Sequence, residues 1–344
     1  MQIRQVIFGA AVVACQLLNA QTPSEAQRSA AATFLDARLP NQARLDALQR
    51  LAYVDESLVP SLLRTGGDRN QSDAIRLAAF GLVHYSDAYL DAVLKVLDDP
   101  ADGGELLDSG LIENLAERTT FRLPPRVAVR IQNVERKLLN DRRDKVRLYA
   151  YRALVRNHDE VALNLLSQSL RRRRNVPVPL DEAIDLLDQD GAVSHIVTLR
   201  PYLNHDDPNV RAQAAHALAV DPQSRPTIVE LARNPETPEH VRLYALRGLA
   251  HEDAGFAGYA IELVENSQED GDVRYAAMHD FAGRMNYSRV DPKDQIRFAE
   301  AVLKLANDPN VRSEKAAKIR EAARDLHVYL KKAFPEIQKF YERP

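Results

Sequence analysis

Arginine recurs at positions 44, 76, 147, 211, 242, 274 and 312, and after each of the first six the third residue on is alanine. A row of guanidinium groups could hold a row of carboxylates or phosphates, because each planar fork offers paired N–H donors to two oxygens. Acids stand near these arginines in the chain: Asp73, Asp144, Asp207 and Glu239. Charge pairs repeated at regular steps are also what a repeated internal interface requires, so the column is expected to have a structural role. Five residues after each Arg the sequence varies instead, through Gln49, Gly81, Arg152, His216, Arg247 and His279. Variation at a fixed position suits a binding surface, and Arg152, Gln213, His216, Arg247 and His279 are expected to face a partner.

Other chemistry-bearing types are sparse. His216 and His279 stand about two repeats apart, too far to share one metal ion. His205-Asp206-Asp207 has the composition of a metal triplet, but Asp207 is needed to cap a helix. There is no Gly-x-Ser-x-Gly elbow, no His-Glu-x-x-His and no glycine-rich phosphate loop. No residue is therefore assigned a catalytic, cofactor-binding or metal-binding role, no cofactor is expected, and the chain is expected not to be an enzyme.

The elements that would position these residues are helices. In Asp207-Pro208-Asn209-Val210-Arg211 the aspartate is a good N-cap and the proline fits the first helical turn, where no amide partner is lost. Val210, Ala214, Ala217 and Leu218 then share one helical face. The arginines are spaced by 32, 71, 64, 31, 32 and 38 residues, so two gaps are close to twice the unit and each hides a copy, at Leu111 to Thr119 and at Leu180 to Asp188. Nine units at a step of about 33.5 residues fall in the range of helical repeat arrays. An earlier helix precedes each copy, as in Ala192 to Leu203 before Asp207-Pro208.

With the helix–turn–helix unit and the Asp-Pro-Asn-Val-Arg phrase followed by Ala214, the chain resembles HEAT-repeat proteins, in particular the HEAT-like class found in phycobilin lyases. The resemblance spans nearly the whole chain after its N-terminal segment and implies an all-α, right-handed solenoid of about nine hairpins. HEAT-like deoxyhypusine hydroxylases repeat a His-Glu pair to hold two irons, whereas His251-Glu252 is the single copy here.

At the N-terminus, Arg4 followed by an apolar run over 6–18 reads as an export signal over residues 1–20. Val12-Val13-Ala14-Cys15 alternatively reads as a lipoprotein signal over 1–14, with the sole cysteine, Cys15, as the lipidated residue. The repeats are expected over 21–310 and C-terminal capping helices over 311–344, in a periplasmic or envelope protein. Net charge is only −3, yet residues 117–175 carry sixteen Lys and Arg against six acids. Within that block Arg171, Arg172, Arg173 and Arg174 are consecutive, a candidate contact for an anionic surface. The expected function is a non-catalytic scaffold that binds another protein. The alternatives are an anion-binding module for an acidic protein, lipid headgroup or polysaccharide, and a HEAT-like lyase or metal-dependent enzyme. Nucleic acid is disfavoured by export.

Overall fold

The computed structural model describes residues 25–51, 54–83, 87–99, 101–102, 104–119, 124–252, 255–287 and 290–342. The export signal, Cys15 and the side chains of His251 and Glu252 lie outside the described residues. Among those described there are nineteen α-helices and no named strand. Eighteen of the helices pair in chain order into nine hairpins, each with a first (A) and a second (B) helix.

The hairpins are α1 Glu25–Leu35 with α2 Asn41–Leu48, α3 Val59–Gly67 with α4 Asp73–Leu82, α5 Asp87–Leu97 with α6 Glu105–Thr119, and α7 Pro125–Leu138 with α8 Asp144–Arg156. There follow α9 Glu160–Arg172 with α10 Leu180–Gln189, α11 Ile196–Leu199 with α12 Pro208–Ala217, and α13 Arg225–Arg233 with α14 Glu239–Glu252. The last pairs are α15 Phe256–Glu265 with α16 Gly271–Tyr287 and α17 Pro292–Asn307 with α18 Ala316–Ala333, after which α19 spans Pro335–Tyr341. The short α11 is continued on both sides by 3-10 turns, Ala192–His195 and Arg200–Asn204. The two copies hidden from the arginine spacing are thus real helices, α6 and α10.

Local sequence explains where the helices start. Asp207 accepts from the Asn209 amide at 2.8 Å and Asp291 from the Lys293 amide at 2.8 Å, each with proline next. These carboxylates satisfy first-turn amides that have no partner within the helix. At α4 Ser72 holds the N-cap position and Asp73 is the first helical residue.

The chain divides into two compact units, residues 1–165 and 166–344. In the first, the A helices α1, α3, α5 and α7 pack in series, as do the B helices α2, α4, α6 and α8. Phe34, Ile75, Phe80, Tyr89, Leu107 and Leu111 are buried in this unit. In the second unit α10, α12, α14, α16 and α18 pack in series. Its aromatic centre is Phe256, Phe281 and Phe298, with the last two rings edge to face at 4.6 Å. Val210, Ala214, Ala217 and Leu218 are all buried, as their shared face requires.

Candidate functional site

The arginine column is a set of internal clamps. Arg44, Arg76, Arg242 and Arg274 are buried, and each is the fourth residue of its B helix. In all four, Nε donates to the carbonyl ten residues earlier, on Phe34, Gly66, Ala232 and Val264 respectively, at 2.8–3.2 Å. Each acceptor is the next-to-last residue of the A helix in the same hairpin, where a carbonyl has no partner within the helix. The remaining guanidinium nitrogens reach forward to the A–B turn of the next hairpin: Arg44 to Gln71, Arg76 to Asp102, Arg242 to both oxygens of Glu269 at 2.8 and 2.6 Å, and Arg274 to Asp308 at 2.7 Å. One side chain therefore closes its own hairpin and fastens the next.

Hairpins 4 and 6 use a different connection. Arg147 and Arg211 are half exposed and bond to the carbonyls of Asp141 and His205, six residues back, at 2.6 and 2.7 Å. Here an arginine near the end of the first half of the hairpin takes over: Arg136 binds Asp159 through Nε and Nη2 at 2.9 and 2.7 Å, and Arg200 binds Asp221 through the same nitrogens at 2.8 and 2.9 Å. Both aspartates also cap the start of the following hairpin, Asp159 accepting from Val161 and Ala162, and Asp221 from Gln223 and Ser224. The Arg200 guanidinium holds the Asp221 carboxyl well below the usual carboxylate range.

Hairpin 3 reverses the polarity. The fourth residue of α6 is Asp108, buried, and it pairs at 2.7 Å with Arg143 in the A–B turn of the next hairpin. Burial pushes the Asp108 carboxyl up to about 6, against the opposing pull of Arg143. Of the acids taken from the sequence as partners of the column, Asp144 alone pairs with its arginine, Arg147, at 2.5 Å.

The residues expected to face a partner stand on B helices. In the second unit His216 on α12 sets Nδ1 2.8 Å from Asp188 of α10 and meets the Tyr244 ring of α14 edge-on at 6.3 Å. Arg247 is exposed, its guanidinium 5.8 Å from the centre of the same ring. On α16, Tyr275 and the exposed His279 are neighbours, 6.2 Å between ring centres. Gln213 is half buried. Gly248 sets the close crossing of α12 and α14 at this point: a Cβ there would lie 2.8 Å from the His216 carbonyl oxygen and 2.9 Å from the Ala219 Cβ. In the first unit Arg152 lies 5.6 Å from the Tyr149 ring centre. The sequence reading missed Asp188, Tyr244 and Tyr275. Tyrosine two residues after Arg147 and Arg242 was the available signal.

The basic block is less basic in space than in sequence. Arg130 pairs with Asp91 at 2.7 Å, Lys137 with Asp98, and Arg143 with Asp108, all acids from outside residues 117–175. Arg171 to Arg174 remain exposed at the end of α9, with Arg171 Nε donating to Thr198 Oγ1 at 3.0 Å. Elsewhere in the same block, turned inward on α7, is Glu135. It is 1% exposed, its Oε1 has no hydrogen-bond partner among the described residues, and burial, with Asp159 adding, raises its carboxyl to about 7. His205-Asp206-Asp207 is spent on local turns, since His205 Nδ1 accepts from the Asp207 amide and Arg211 takes the carbonyls of His205 and Asp206. Among the described residues three acids, Glu239, Asp270 and Asp272, bring ligand atoms within 4.8 Å of one another. There Asp270 caps α16, and Lys315 lies 3.6 Å from Asp272.

The fold defines a class, the all-α proteins built of repeated helical hairpins. No family model matches the chain, and no curated protein matches it in sequence. Among solved structures it is similar to the complex of CpcE and CpcF of phycocyanin lyase from Nostoc sp. PCC7120, at 17% identity over 91% of this chain and 99% of that one, TM-score 0.39. It is also similar to human deoxyhypusine hydroxylase, at 13% identity over 88% and 96%, TM-score 0.30, and to an engineered protein, at 15% over 97% and 96%, TM-score 0.40. These similarities are too distant to transfer an activity, but they correct one expectation. Two of the three are named as enzymes, so the expectation that this chain is not an enzyme, drawn from missing motifs, is withdrawn.

Proposed function

We propose that the chain is a helical-repeat scaffold that binds another protein through the B-helix face of residues 166–344, and that it works in a bacterial envelope. The observation that carries the reading is the run of polar and aromatic side chains on successive B helices, Asp188, His216, Tyr244, Arg247, Tyr275 and His279. Tyrosine and arginine are the side chains that contribute most at protein interfaces, through large area and planar donors. The buried clamps hold the helices under this face, so binding orders few further groups and loses little entropy. The envelope location is supported by the arginine and apolar run at the N-terminus.

Affinity capture from envelope extract, wild type against the R247E/H279E variant, tests the reading. A protein retained by the wild type and lost with the variant supports it; identical capture by both overturns it.

A further inference from the structure

Arg172, Arg173 and Arg174 make no ion pair among the described residues, in contrast to the cations of α7 and α8 already described. They follow Arg171 in a turn where Arg173 and Asn175 take left-handed backbone angles, φ 51° and 54°. The Arg173 amide donates to the Leu170 carbonyl at 3.0 Å, which closes the end of α9 and leaves all four side chains in solvent. A helix C-terminus favours cations, yet one or two satisfy that preference.

A second feature adjoins the first. Val197 and Val193 are the most exposed large hydrophobic side chains among the described residues, at 77% and 71%. Val197 precedes Thr198, the residue gripped by Arg171, and Val193 lies four residues earlier. The Arg171–Thr198 bond thus sets the run of exposed guanidiniums beside the segment that carries the two bare valines.

We infer that this surface docks on an anionic lipid bilayer, the arginines binding headgroup phosphates and the valines entering the boundary of the acyl region. Guanidinium forks match phosphate oxygens, and basic residues beside apolar ones are what interfacial binding uses. A polysaccharide or nucleic acid would engage the arginines but offer the valines no apolar medium. The inference does not depend on the B-helix face, so an R247E/H279E variant keeps this activity.

Sedimentation with vesicles of phosphatidylglycerol and phosphatidylcholine in equal parts, against pure phosphatidylcholine, tests it. Wild type is expected to sediment with the anionic vesicles only, less so in high salt. The R171S/R172S/R173S/R174S variant should lose on the order of a thousandfold in partitioning. V193S/V197S should lose about tenfold, with helical circular dichroism unchanged in both. Failure of the wild type to bind, or full binding by the four-serine variant, overturns the inference. So does full binding by V193S/V197S together with displacement by polyglutamate, which would make the surface a site for acidic protein.

Discussion

At the scale of single residues the clamps differ in how much they carry. Replacing Arg242 with leucine leaves Glu269 buried without its bidentate partner and is expected to cost about 3–5 kcal/mol, read from the urea midpoint. Arg211, half exposed and bonded only to turn carbonyls, should cost about 1 kcal/mol as alanine. The reversed pair offers a sharper check: D108R alone should destabilise strongly, and D108R/R143D should recover part of the loss, whereas additive losses would mean that the two groups do not act as a pair. Glu135 makes stability depend on pH. Unfolded, its carboxyl titrates near 4.3; folded, it is raised to about 7, so its favourable contribution is complete below about 4 and lost as pH rises through 7. E135Q should therefore raise the melting temperature at pH 8 and leave it little changed at pH 4. The arginine column was legible as part of a repeated internal interface because its spacing repeats. Its partners were not, since the acceptors lie 26 to 34 residues downstream and no phrase beside the arginine marks them.

At the scale of helices, periodicity did most of the work. The Arg-x-x-Ala step located six B helices, and its gaps located α6 and α10, because a missing copy still has to fill the space between its neighbours. The substitute clamps of hairpins 4 and 6 left no such trace: Arg136 and Arg200 look like any cation near a helix end until Asp159 and Asp221 are seen to cap the next hairpin. Packing at α12 gives two paired expectations. Ala214→Leu and Gly248→Ala should each cost about 1–3 kcal/mol by forcing α12 and α14 apart. At Gly81 an added methyl group would meet no atom within 4 Å. Gly81→Ala should therefore stabilise, by up to about 1 kcal/mol. Equal effects at the two glycines would remove the close crossing as the reason for Gly248.

At the scale of the whole chain, charge that looked concentrated is redistributed by folding, since acids of earlier hairpins meet cations of later ones. The four consecutive arginines at the end of α9 keep their charge unpaired among the described residues, and no residue count could have separated them from Arg130, Lys137 and Arg143, which acids of hairpin 3 compensate. Ending the chain after Asn307 would strip α18 from α17 and bare the part of the buried α17 face that α18 covers. Such a truncation should associate with rising concentration in gel filtration, where the full chain should not. The clamps also bear on how such a chain can grow or be rebuilt. A hairpin that reaches forward with arginine demands an acceptor in its successor's turn; hairpin 3, with its aspartate, demands a donor there; hairpins 4 and 6 demand a capping acid at the successor's threshold. The nine hairpins therefore fall into at least three connector types and are not interchangeable parts. Duplicating hairpin 8, whose turn carries the acceptor Glu269 and whose Arg274 demands one, should yield a folded longer chain. Shuffling hairpin 3 into the same place would set a buried acid against another acid, a mismatch that limits which recombined descendants of this sequence can survive.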